Sequence, residues 1–370
     1  MMMNVIVIKY HYQELFLDLI IKMCNKIKLI FFLCAISRMF SANPILEHAL
    51  PKLSDYGFFD NPINIQNPNA DVIPYTISSQ LFSDYSEKLR FIKIPDNTII
   101  THNPDHTLNF PVGTYLIKTF YYLNDRREKT GGRRLIETRI LKKISSEWIA
   151  IPYVWNDEQT DALVALAGER INVNWIHDNG IKKAISYGVP NVNQCKSCHA
   201  YENIQQPIGP KIRNLNYEFT YGSTKMNQLD KWISLGMLEP LNQNSFLART
   251  VNYLDENDGT LDDRARAWLD INCAHCHRKG GPAETSGLFL EIEQTDSTAL
   301  GFYKPPIAAG RGSGNRRYNI VPGHPDRSIL EFRISSTDPG IMMPELNRRL
   351  VDEKGVALIR TWIREMLPKY

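Results

Sequence analysis

Two five-residue patterns carry the chemistry of this chain: Cys195-Lys196-Ser197-Cys198-His199 and Cys273-Ala274-His275-Cys276-His277. Each has the form C-x-x-C-H, which attaches a c-type haem. Two thiols one turn apart reach both vinyl groups of a porphyrin, and the histidine that follows is held under the iron. The chain has six cysteines, and the other two, Cys24 and Cys34, lie in an N-terminal stretch with the character of a removable leader. Every cysteine of the mature chain then belongs to a haem motif. The expected cofactors are two covalent haem c groups, on Cys195 and Cys198 and on Cys273 and Cys276, with His199 and His277 as iron ligands.

A sixth iron ligand is most often a methionine sulfur, which favours ferrous iron and raises the potential. Met342-Met343-Pro344 supplies one for the second haem, because a residue before proline is held extended and its side chain can be aimed. Met343 is preferred to Met342; the competing role for both is core filling. For the first haem the order of preference is Met226, then Met237, then His177, with a five-coordinate iron as the further alternative. His275 reads as a spacer pointing away from its own haem, and His48, His102, His106 and His324 stand isolated. Arg311, Arg316 and Arg317, in a glycine-rich loop, could bond haem propionates or form a solvated charged surface. Those glycines lack the strand–turn–helix context of a dinucleotide site.

The elements that must position these groups fall into two kinds. Between about 76 and 190 the runs Thr114-Tyr-Leu-Ile-Lys-Thr-Phe, Arg134-Leu-Ile-Glu-Thr-Arg-Ile-Leu and Trp148-Ile-Ala-Ile-Pro-Tyr-Val-Trp are β-branched and aromatic. Ile171-Asn-Val-Asn-Trp-Ile and the Asn179-Gly180 turn predict a hairpin. After Pro190 the period becomes helical: Leu229, Trp232, Ile233 and Met237 share a stripe, residues 262–272 lead into Cys273, and Val356, Ile359, Trp362, Ile363 and Met366 mark a C-terminal helix. The predicted architecture is multidomain: an all-β, sandwich-like domain followed by mainly α, cytochrome c-type haem domains. Its divisions are a leader at 1–42 that reads best from Met23, a β-rich domain with an N-terminal arm at 43–190, a first haem region at 191–250 and a second haem domain at 255–370.

Composition fits an ordinary globular protein, with 43% hydrophobic and 22% charged residues. The formal charge of +3 comes from the leader, where Lys9, Lys22, Lys26, Lys28 and Arg38 outnumber Glu14 and Asp18. The remainder is balanced, which gives no footing for a nucleic-acid partner. Lys26 and Lys28 precede the apolar run 29–36, long enough for a signal peptide and too short to span a bilayer. No stable membrane span is therefore expected once the leader is removed, and the expected compartment is the periplasm.

Further segments resemble a bacterial family of exported two-haem c-type cytochromes. They are Pro74-Tyr75, Leu81-Phe-Ser-Asp-Tyr-Ser-Glu-Lys-Leu-Arg-Phe, Phe110-Pro-Val-Gly-Thr-Tyr-Leu-Ile-Lys-Thr-Phe, Glu137-Thr-Arg-Ile-Leu, Tyr153-Val-Trp-Asn-Asp-Glu-Gln-Thr-Asp-Ala, Pro190-Asn-Val-Asn-Gln-Cys-Lys-Ser-Cys-His and Pro207-Ile-Gly-Pro-Lys. The resemblance covers roughly residue 50 to the end. It implies haem ligation at His199 and His277 and periplasmic electron transfer, and it supplies no substrate.

The leading expectation is a carrier of single electrons whose partner is a redox protein, either a dehydrogenase or a respiratory complex. A di-haem peroxidase-like oxidoreductase is the alternative and would need an open site at the first haem. The spacing of 78 residues between Cys195 and Cys273 is short for that class. A structural zinc or disulfide protein is the third reading. Paired C-x-x-C zinc sites are closer in sequence, about 15–20 residues apart, and zinc does not call for a histidine after both pairs.

Overall fold

The computed structural model describes residues 44–103, 107–241, 248–346 and 348–367. The leader at 1–42, with Met23, Cys24 and Cys34, lies outside the described residues, as does His106. The chain forms two compact units, Met1–Ala49 and Leu50–Tyr370. In the first, the described part is a single short helix, Pro44–His48. Everything that follows concerns the second.

Six strands make one antiparallel sheet: β1 (Ile73–Tyr75), β2 (Glu87–Lys93), β3 (Tyr115–Leu123), β4 (Arg133–Ile144), β5 (Glu147–Trp155) and β6 (Ala162–Val164). Each pairs with the next in chain order, so the sheet is a meander. Alternation of side chains gives it two unlike faces. On one face Phe91, Ile117, Ile140 and Ile151 stand in register across four strands. Residues 50–72 cover that face with aromatic rings, Phe59 meeting Phe91 and Phe58 meeting Tyr115 edge-on. Two buried hydroxyls are satisfied beneath them, Thr119 donating to Gln66 Oε1 at 2.6 Å and sharing a hydrogen bond with Thr138 at 2.8 Å.

The other face, carrying Ile92, Leu116, Leu141 and Ala150 in register, receives the C-terminal half of the chain. A separate hairpin, β7 (Glu169–Ile176) with β8 (Lys182–Val189), turns at Asn179-Gly180. Gly180 has φ +81° there, a conformation that glycine adopts without penalty. Val173, Trp175, Ile185 and Tyr187 of this hairpin form a buried cluster with Tyr122 and Ile136 of the sheet.

Besides one short turn at Ile212–Leu215, the α-helices described in this unit are α1 (Val192–His199), α2 (Gln228–Ser234), α3 (Leu261–Leu269), α4 (Ile329–Ile334) and α5 (Glu353–Glu365). Among the described residues only α5 runs beyond nine residues. The expectation of mainly α haem domains behind a β-sandwich is therefore wrong. The chain is mostly β, with one six-stranded sheet, several two-stranded pieces and few short helices. The physical reason lies in the core. The apolar stripes of α2, α3 and α5 are not buried on one another alone, although α3 and α5 touch. Trp232, Trp268, Leu269 and Ile359 share one buried cluster with Ile92, Leu116 and Trp148 of the sheet region. A helix that can bury its face on an existing sheet needs no bundle of partners. Backbone links stitch the halves together: Thr76 N donates to Gln228 Oε1 at 2.7 Å, and Phe82 N to Asn272 Oδ1 at 2.8 Å.

Candidate functional site

Between the second face of the sheet and the C-terminal half lies a cavity of about 1210 Å³. Ordinary small-molecule sites run to about 300–1,000 Å³. Both C-x-x-C-H motifs open onto this one space: Cys195, Cys198 and His199 from one side, Cys273, Cys276 and His277 from another.

The first motif is delivered by α1. Asn191 accepts from Gln194 N at 2.9 Å and Gln194 Oε1 accepts from Asn191 N at 3.0 Å, a reciprocal cap that fixes where the helix starts. Pro190 just before it ends β8. Cys195, Cys198 and His199 then fall on adjoining turns of one helix that packs on β5. The second motif follows α3, capped reciprocally by Thr260 and Asp263. Beyond Leu269 the helix widens into a π-type turn over Asp270–Ala274, so Cys273 sits in that turn. Asp270 is buried there and held by Arg213 at 2.8 Å; its carboxyl lies below the usual range because Arg213 and Lys211 outweigh burial.

Each motif histidine has one ring nitrogen engaged. His199 Nδ1 lies 2.7 Å from the Gln206 carbonyl, which can only accept, so Nδ1 carries the proton and Nε2 keeps its lone pair. His277 Nδ1 lies 3.3 Å from Ser286 Oγ. That hydroxyl already donates to the Ala283 carbonyl at 2.7 Å, so it accepts from His277 and the tautomer is again Nε2-basic. This arrangement is the one that iron-ligating histidines require. Both rings are neutral: burial brings His199 down to about 4, with Lys118 and Arg139 adding to the effect, and burial with Arg333 nearby brings His277 to about 4. None of the four cysteines is in a disulfide. Burial pushes Cys195 up to about 11 and Cys273 and Cys276 up to about 12, away from the thiolate that a zinc site needs. Among the described residues no group of three or more His, Cys, Asp or Glu is placed to hold a bare metal ion. The residues present fit haem c.

Met342 and Met343 both line the cavity. Met342 is buried and Met343 half-buried. Their loop is pinned by two arginines. Arg348 donates to the carbonyls of Met343, Leu350, Arg333 and Ser336 at 2.7–3.1 Å, and Arg333 Nε donates to the Ile341 carbonyl at 2.8 Å.

The three groups expected near the first haem do not line the cavity. Met226 is on a small hairpin strand opposite Phe219. Met237 is in the main core. His177 is buried against Tyr85 and Trp175. Arg311, Arg316 and Arg317 are also outside the lining: Arg311 pairs with Asp338 at 3.0 Å, Arg316 lies over Phe332 and Arg317 over Tyr318. His275, read as a spacer, does line the cavity, is buried, and has a partnerless Nδ1. Burial, with His199 next in effect, lowers it to about 3. Sequence reasoning also missed the cationic side chains that the sheet presents to this space, Arg90, Lys118 and Arg139. Alternation along β2, β3 and β4 placed them on one face, but nothing in the sequence said which face the motifs would cover.

No protein-family model matches the chain, and comparison with curated proteins and with solved structures finds no match. No helix among the described residues is long and apolar enough to cross a membrane.

Proposed function

We propose that this chain is a periplasmic di-haem c-type cytochrome that carries single electrons, with haem c attached at Cys195 and Cys198 and at Cys273 and Cys276. The observation that carries the reading is the convergence of both C-x-x-C-H motifs on one large cavity, each histidine with Nδ1 engaged and Nε2 left basic. Haem iron, when bound, supplies the one-electron couple. The chain's own residues do the rest. His199 and His277 would ligate the iron, held in the correct tautomer by Gln206 and Ser286. Met343 would supply a sulfur ligand at the second site, on the loop that Arg333 and Arg348 hold. The apolar walls, among them Leu116, Leu141, Leu288 and Leu290, exclude water and so favour the less charged ferrous state. The partner is another redox protein that meets a haem edge.

A peroxidase-like reading keeps one supporting observation: Met226, Met237 and His177 are all absent from the cavity lining, so the first site has no distal methionine assigned. An absorption spectrum of the exported protein, oxidised and then dithionite-reduced, with a pyridine haemochrome count, separates the readings. Two covalent haems in low-spin form, with the weak long-wavelength band of sulfur–iron ligation, are expected. A high-spin haem that binds carbon monoxide or peroxide moves the assignment to an enzyme. A chain exported without covalent haem overturns both.

A further inference from the structure

Across three neighbouring strands of the sheet, Arg90, Lys118 and Arg139 stand directly opposite one another, Arg90 paired with Lys118 and Lys118 with Arg139. All three line the cavity. Like charges in register repel, and burying them adds a desolvation penalty, so a row of this kind needs a counter-charge. One of the three has it: Arg139 is bound to Glu137 through Nε at 2.8 Å, and Tyr187 donates to the same carboxylate at 2.6 Å. Arg90 does not. It is 5% exposed, yet neither Nη1 nor Nη2 has a hydrogen-bond partner. Lys118 Nζ lies 4.7 Å from the centre of the Phe120 ring, and among the described residues no carboxylate forms an ion pair with it. Burial and the adjacent Arg90 hold its pKa well below the ordinary range. The row therefore sets three basic side chains against one carboxylate, Glu137, and leaves Arg90 and Lys118 without a counter-charge of their own.

We propose that Arg90 and Lys118, flanked by Arg139, form the seat for the two propionate carboxylates of the haem attached to Cys195 and Cys198. The inference rests on the haem reading and gives the sheet its part in it. One observation assigns the row to the first haem: the helix α1 that carries the first motif packs on β5, the strand paired with the one that carries Arg139. Two carboxylates would give Arg90 its partner and favour the protonated form of Lys118, and guanidinium–carboxylate bonds are among the stronger ones available in a dry site. The glycine-rich loop carrying Arg311, Arg316 and Arg317 is not needed for this role.

The test compares the holoprotein with Arg90→Gln, Lys118→Gln and the charge-keeping Arg90→Lys. Haem content comes from the pyridine haemochrome assay, the two potentials from spectroelectrochemistry, and propionate bending modes from resonance Raman spectra. Nearby positive charge favours the reduced haem, so each glutamine variant is expected to keep two haems, lower one potential, and shift the propionate mode of that haem alone. Arg90→Lys should restore most of the potential. Two attached haems with both potentials and all propionate modes unmoved would overturn the seat while leaving the haem assignment intact. A wild-type protein without covalent haem would overturn the haem assignment and the seat together.

Discussion

Asp84 sits on the cavity rim in a left-handed conformation, φ +52°, and its Oδ1 accepts from the backbone of both Arg349 and Leu350 at 2.8 Å. Burial raises its carboxyl to about 6, against the lowering effect of those two hydrogen bonds and of Arg348. The folded state thus binds this proton more tightly than the unfolded chain does. The contribution to stability is full below about pH 4 and is lost as pH rises to about 6. At neutral pH the buried ionised group costs up to about 3 kcal/mol. Asn tolerates the left-handed conformation and keeps the accepting oxygen. Asp84→Asn should therefore raise stability at pH 7 and flatten its dependence between pH 4 and 6, which urea unfolding at both pH values will read; an unchanged pH profile would refute the assignment. The two methionines of the distal loop separate in the same residue-by-residue way. Met343→Ala should abolish the sulfur–iron absorption band with little loss of stability. Met342→Ala should keep the band and cost about 2–4 kcal/mol as a buried large-to-small change. The opposite pattern would make Met342 the ligand.

At the scale of elements, the junction of α3 with α5 is held by two indole–carboxylate bonds, Trp362 Nε1 donating to Asp262 Oδ1 at 2.7 Å and Trp268 to Asp352. Asp352 caps α5, its Oδ1 accepting from Gly355 N at 2.9 Å, while Oδ2 accepts from Trp268 Nε1 at 2.8 Å. The approach is close enough that a Cβ at Gly355 would collide with the Trp268 indole nitrogen. Asp352→Ala removes a cap, worth about 1 kcal/mol, and strands a buried indole N–H, worth about 1–3 kcal/mol. A loss of at least about 2 kcal/mol in denaturant unfolding is expected, and a change below about 0.5 kcal/mol would show that neither bond matters. Much at this scale was legible in the sequence. The Asn179-Gly180 hairpin, the β-branched runs of β3 to β5 and the stripe of α5 follow from local period and turn chemistry. The helical content was overestimated because a short stripe such as Leu229, Trp232 and Ile233 has the same period whether it faces a bundle or a sheet.

At the scale of the molecule, Ile92, Leu116 and Trp148 share one buried cluster with Trp232, Leu269 and Ile359, so neither half holds a complete core. The chain should unfold in one cooperative transition by circular dichroism, and residues 191–370 expressed alone should show none; a separate sharp transition in that fragment would refute a shared core. This dependence was not legible beforehand. The C-x-x-C-H patterns name their chemistry from spacing alone, whereas Arg90, Lys118 and Arg348 acquire roles only through long-range register and loop closure. No window of sequence contains both Lys118 and His199.

A single hollow receiving both motifs also bears on how the protein charges. Two redox centres behind one low-dielectric wall feel each other's state, because an electron placed on either raises the cost of the second through Coulomb repulsion. In the proposed two-haem form, uptake would be anticooperative. Even with identical ligands, the molecule would fill in two spaced steps and act as a one-electron relay over a band of potentials, with the other electron held in reserve.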